Sequence, residues 1–161
     1  VKSIALFVLF LSFLATFAFS AEPKIFISGA IVGEPRFLTI REIESISLVS
    51  NGSLKLARTT TVDKKQKTDF EGVPLIDVVK KYGEQGVQKI TVKAWDRYRI
   101  TIDMNDIKKF SLILATRENG KHISYKDRGP ARIVTPQIQS DTEQLKEKVQ
   151  IFAAKEIVFI K

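Results

Sequence analysis

The sequence predicts an α+β domain, mixed and rich in strands, with short helices on one side. Three observations point there. Short runs such as KITVKAW (89–95) and RITIDM (99–104) alternate apolar and polar side chains and are rich in β-branched residues. Two brief stretches, IREIESI (40–46) and LIDVVKKY (75–82), place their apolar residues at spacings of three and four instead. Turn residues, including Asn51-Gly52, Gly83 and Gly120, punctuate the chain between these runs.

The first twenty residues are a different material. Lys2 gives a positive start, Ile4 to Phe19 is an almost wholly apolar run of 16 residues, and Ala18-Phe19-Ser20 sets small residues where a signal peptidase reads. The run is shorter than the roughly 20 residues a spanning helix needs. A secretory signal over residues 1–20 is therefore expected rather than an uncleaved anchor. Residues 21–161 then form one extracytoplasmic, periplasmic-type domain with no stable membrane span.

Taken in order, KIFISGAIV (24–32) reads as a first strand and GEPRF as a turn. Thr39 is placed to cap IREIESI, whose Ile40, Ile43 and Ile46 share a face. Asn51-Gly52 predicts a hairpin turn between ISLVS and LKLARTTT. After a charged loop at Lys64–Thr68, Pro74 opens a helix, where its missing N–H costs nothing. Leu75, Val78, Val79 and Tyr82 form that helix's buried stripe, and Gly83 is expected as its left-handed cap. Asn105 is expected to cap a short helix through DIKKF. SLILATREN and ARIVTP read as strands, Gln137 to Lys148 as a polar loop or short helix, and QIFAAKEIVFI as a closing strand. The predicted common core is Leu75, Val78, Val79, Ile90, Val92, Ile100, Ile102, Leu112, Leu114, Ile133 and Val134.

The 161 residues suit one domain with a real core. Without Lys2, the 26 basic and 18 acidic residues leave a net charge near +7, which favours anionic ligands or surfaces. The basic residues are scattered and lack interleaved aromatics, so no nucleic-acid partner is expected. There is no cysteine, hence no disulfide and no thiolate ligand, and a single histidine, His122, makes an ordinary zinc site improbable.

Five segments in order resemble the sulfite-oxidase-type molybdopterin-binding domain family. They are SGAIVGEPRFLTIREIESI, DFEGVPLIDVVKKYG with its Gly-Val-Pro-Leu helix, WDRYRITIDMNDI, LILATRENGKHIS, and GPARIVTP. The resemblance implies that family's fold, a molybdopterin cofactor and oxidoreductase chemistry. It also implies a molybdenum-ligating cysteine about a dozen residues before Gly-Val-Pro-Leu. Thr59 and Thr60 stand there instead, and a protonated hydroxyl is a poor substitute for a soft thiolate. The Gly-x-Lys anchor for pterin and phosphate is replaced by QIQSDTEQLKEKVQIF, whose Asp141, Glu143 and Glu147 would repel a phosphate. The resemblance further implies cofactor insertion in the cytoplasm and export by the twin-arginine route, yet VKSIALF lacks an Arg pair.

The expected protein is thus a family member without its metal centre or cofactor. It would act as a binding module for a small anionic ligand or a membrane sensor protein. A molybdopterin-dependent oxidoreductase with unusual ligation and a structural or interaction protein without a pocket are the alternatives. The candidate cleft residues are Thr59, Thr60, Trp95, Asp96, Tyr98 and Arg132. Each has a plainer reading: β propensity for the threonines, core packing for Trp95, a hairpin corner for Asp96 and Tyr98, and an ion pair for Arg132. His122 reads as an exposed residue beside a turn. The signal reading predicts that the exported chain begins at Ala21. Amino-terminal sequencing checks this, and an exported chain that retains Lys2 refutes it.

Overall fold

A computed structural model describes residues 22–48, 52–63, 66–136 and 151–161. The predicted signal segment and the acidic stretch from Gln137 to Gln150 lie outside these residues, as does Asn51 of the predicted hairpin turn.

The described strands make two sheets. The first has the order β2 (Arg36–Thr39), β1 (Lys24–Gly29), β10 (Ala154–Ile160), β5 (Lys89–Ala94), β6 (Arg99–Asp103). Its β1–β10 pair is parallel and the others are antiparallel. The second has the order β3 (Ala57–Asp63), β4 (Gln66–Pro74), β7 (Ile113–Glu118), β8 (Lys121–His122), and β9 (Arg132–Val134) also pairs with β7. Three short helices accompany them among the described residues: α1 (Ile40–Glu44), α2 (Leu75–Tyr82) and α3 (Met104–Lys109). This is the mixed, strand-rich α+β architecture that the alternating runs require.

Local sequence explains most of the element ends. Thr39 caps α1 through a full capping box: its hydroxyl accepts from the Glu42 N–H, and the Glu42 carboxylate accepts from the Thr39 N–H at 2.7 Å. The expected helix through Ile46 is shorter than its pattern, because Ser45–Ser47 tightens into a 3-10 turn. Leu48 and Leu54 form an antiparallel bridge across the expected hairpin. The first strand stops at Gly29, short of Val32.

Two caps differ from expectation. Gly83 is not left-handed: its backbone is extended (φ −76°, ψ 145°). It is a glycine because space is short, since a Cβ there would sit 2.7 Å from the Val79 carbonyl oxygen and 3.2 Å from the Phe159 ring. Asn105 does not cap α3, which starts one residue earlier, at Met104. Asp103 holds the N-cap position without a side-chain bond, and the Met104 N–H donates instead to the Gln88 carbonyl at 2.8 Å.

Both sheets contribute to the main core, with Ile25, Ile27, Ile157 and Phe159 from the first and Val73, Leu114 and Ile133 from the second. Ten of the eleven predicted core residues are there. Val134 is buried elsewhere, with Phe70, Ile113 and Ala115 on the opposite face of the second sheet. Successive residues on one strand face opposite ways, so Ile133 and Val134 cannot share a core. Strand β7 is covered on both faces, which is why Leu112 to Ala115 is an unbroken apolar run. Among the described residues, no helix is long and apolar enough to cross a membrane.

The Gly-Val-Pro-Leu segment shows why its glycine matters. At Gly72 the β4–β7 register shifts, and a Cβ would lie 2.1 Å from the Leu114 carbonyl oxygen and 2.6 Å from the Ala115 Cα. Gly72→Ala is therefore expected to cost about 1–3 kcal/mol through overpacking against backbone. Leu114→Ala, at a fully buried position, is expected to cost about 2–5 kcal/mol. Urea denaturation checks both, and a loss below about 0.5 kcal/mol at either site contradicts the packing described.

Candidate functional site

One end of the second sheet opens into a cleft of about 580 Å³. The β7–β8 hairpin forms one wall, turning at Asn119-Gly120 with positive φ at both residues. The 3-10 turn Tyr125–Asp127 forms another. Ser124 caps that turn, accepting from the Asp127 N–H at 3.2 Å and donating to its carboxylate at 2.7 Å. Strand β9 and Phe152 close the base.

Arg132 ties these walls together. Its guanidinium pairs with the Glu118 carboxylate at 3.1 Å and donates to the Asp127 carbonyl. It lies over the rings of Phe70 (5.7 Å) and Phe152 (5.2 Å). Burial pulls its pKa below the ordinary arginine value, with Glu118 opposing; a guanidinium nevertheless stays charged at any working pH. Its Nε is buried without a hydrogen-bond partner among the described residues. Arg132 thus lines this cleft and has a carboxylate partner. Lys121, Lys126 and Arg128 line the same cleft, so four cations surround Glu118 and Asp127. These three form no ion pair among the described residues, and Arg128 stacks on Phe152 at 5.6 Å.

Behind the cleft lies a buried carboxylate that sequence reasoning missed. Glu44, at the end of α1, is 5% exposed. It accepts from the Thr116 hydroxyl at 2.7 Å and from Arg117 Nε and Nη2 at 2.9 and 2.8 Å. His122 Nε2 lies 3.2 Å from the same carboxylate. His122 is thus half-exposed beside its turn, as expected, and is also tethered. The signal was present: Glu44 falls four residues after Ile40, on the apolar face of its helix. Burial alone would push the Glu44 carboxyl up, but hydrogen bonds from Arg117 and Thr116 outweigh it and hold the group below its ordinary 4.5.

The other candidates divide. Thr60 lies opposite Asp69 in the β3–β4 ladder and donates its hydroxyl to that carboxylate at 2.7 Å. The Asp69 N–H donates to the Asn119 side chain at 3.0 Å, which connects Thr60 to the cleft rim. Thr59 lies opposite Phe70, whose ring contacts Arg132. Trp95, Asp96 and Tyr98 do not line the cleft. Asp96 accepts from the Tyr98 N–H at 3.0 Å, a hairpin corner. Trp95 is 56% exposed, contrary to the core-packing reading, because it falls just past the last paired residue of β5.

The oxidoreductase molybdopterin binding domain family matches residues 27–146, and the chain belongs to that family. Among solved structures, the sulfane dehydrogenase SoxCD from Paracoccus pantotrophus superposes with a TM-score of 0.54 at 15% identity. The match covers 84% of this chain and 37% of that one, and at this identity it shows the shared fold. No curated protein matches the chain in sequence. The donors at the strand where the resemblance puts a molybdenum ligand do not fit that metal. Thr59 and Thr60 offer hard hydroxyls, Thr60's is engaged with Asp69, and the sequence has no thiolate at all.

The depressed Glu44 value makes a pH prediction. Its contribution is whole above about pH 4.5 and is lost as pH falls through the folded-state value. Glu44→Gln should cost about 1.5–3 kcal/mol at neutral pH, and the gap to the parent should narrow as pH falls below 4.5. Denaturation curves at neutral and acid pH measure it; a pH-independent gap contradicts the assignment.

Proposed function

We propose that this chain is an exported member of the family that has lost the metal centre. It is a binding module whose partner is a small anionic ligand held in the Arg132 cleft, or else a membrane sensor protein. The observation that carries this reading is the set of three cations, Lys121, Lys126 and Arg128, without ion pairs among the described residues around a cleft of about 580 Å³. A carboxylate or phosphate entering there meets charge-assisted donors. Arg132 acts differently from its neighbours. Its Nη1 and Nη2 already engage Glu118 and the Asp127 carbonyl, so it shapes the wall and adds long-range charge.

Three features support the loss of the metal: no cysteine thiolate, the tied hydroxyl of Thr60, and the acidic residues Asp141, Glu143 and Glu147 where a phosphate anchor is expected. The apolar run Ile4–Phe19, with small residues at Ala18 and Ser20, supports export.

Elemental analysis of protein purified from a molybdenum-replete host is expected to find no molybdenum; a stoichiometric amount restores the oxidoreductase reading. Calorimetric titration with phosphate and citrate is expected to show binding that the Lys126→Ala/Arg128→Ala pair weakens by about 1.5–3 kcal/mol. Arg132→Ala should also lower the stability of the free protein, which distinguishes its role. Absence of binding by both anions refutes the ligand and leaves a structural or interaction protein.

A further inference from the structure

We propose that the end of the molecule bearing Trp95, Tyr98, Tyr125 and Phe152 rests on an anionic phospholipid surface. These aromatics come from three loops: the β5–β6 turn, the 3-10 turn Tyr125–Asp127, and the residues before β10. Backbone bonds join the loops, since the Trp95 N–H donates to the Ala153 carbonyl at 3.2 Å and the Ala153 N–H to the Arg128 carbonyl at 2.8 Å. The rings are conspicuously outside: Trp95 is 56% exposed, Tyr125 51% and Tyr98 47%. Trp95 and Tyr125 meet edge to face at 6.1 Å.

Cations accompany each ring. Lys155 Nζ lies 5.4 Å from the Trp95 ring, Arg128 stacks on Phe152, Lys126 follows Tyr125, and Arg97 stands between Asp96 and Tyr98. Among the described residues of these loops, the two acids are held locally, Asp96 by the Tyr98 N–H and Asp127 by Ser124. Exposed Trp and Tyr with polar tips, set among Lys and Arg, match the chemistry of a bilayer interface. The rings enter the headgroup region and the cations meet lipid phosphates.

Other occupants fit less well. A nucleobase or sugar needs an open ring face, and Lys155 takes one face of Trp95. A bound peptide wants a groove, and of these four aromatics only Phe152 lines the cleft. Lys126 and Arg128 also line the cleft, so an anion bound there would compete with lipid phosphate for them.

Trp95 is the protein's only tryptophan, so its emission reports this face alone. Vesicles of equal parts phosphatidylglycerol and phosphatidylcholine should shift the emission to the blue and co-sediment the protein; vesicles of phosphatidylcholine alone should do neither. Lys126→Glu/Arg128→Glu should weaken co-sedimentation by about tenfold or more. Tyr125→Ala should reduce the blue shift while leaving net charge unchanged. Lys108→Glu on α3, beyond the far end of β6, should change binding by no more than about threefold. No blue shift with the anionic vesicles overturns the proposal, as does an equal loss from Lys108→Glu. A blue shift with polyglutamate but not with vesicles overturns it in favour of an acidic protein partner.

Discussion

A carboxylate shut away from water has to be compensated or the fold that buries it will not persist, and Glu44 is that carboxylate. Desolvating a charge costs several kcal/mol, and only well-aligned donors offset it. Arg117 supplies two of them in its planar fork, Thr116 supplies a third, and His122 approaches the same oxygen. Because Glu44 ends α1 while its partners lie on β7 and β8, the pairing bridges parts of the chain more than seventy residues apart. It sets the helix against the second sheet and orients the β7–β8 hairpin. That hairpin is a wall of the cleft, so Glu44 helps to position one side of it.

The same economy of charge recurs at Arg132, where the partners differ. The guanidinium is flanked by two aromatic rings, and its hydrogen bonds go to a carboxylate and a backbone carbonyl. Planar, weakly hydrated guanidinium tolerates such burial better than an ammonium would. With Glu118 and the Asp127 carbonyl engaged, it locks strand β9 to the 3-10 turn. The flanking Lys121, Lys126 and Arg128 form no ion pair among the described residues, though Arg128 stacks on Phe152. The result is a cationic hollow near a strand whose Thr59 and Thr60 hydroxyls suit hydrogen bonding better than molybdenum.

Membership of the molybdopterin binding domain family and the chemistry of this chain's donors are separate facts. The fold rests on features that survive in the Gly-Val-Pro-Leu segment: a glycine pressed against β7 and a proline opening α2. None of these needs a metal to form. Backbone packing can therefore be retained while the side chains of β3 change, because Thr59 and Thr60 satisfy the β3–β4 ladder as well as any β-branched residue.

The sequence by itself determined what depends on neighbours along the chain. Alternation placed the strands, the spacing of Leu75, Val78, Val79 and Tyr82 placed the buried face of α2, and Thr39 with Glu42 set the start of α1. The motif order carried the family. Tertiary structure decided whatever depends on distant partners. Gly83 looked like a left-handed cap and is instead a contact glycine, since the Phe159 ring that crowds it lies on another strand. Val134 looked like a companion of Ile133 and packs on the opposite face, because only the assembled sheet shows that both faces of β7 are covered. Trp95 looked like core and stands outside, because burial depends on what lies above the ring and not on the ring itself. Glu44 carried a faint local sign, a charge on an apolar helical face. Its partners, however, come from β7 and β8, and an interaction across that span has no period for a sequence to display.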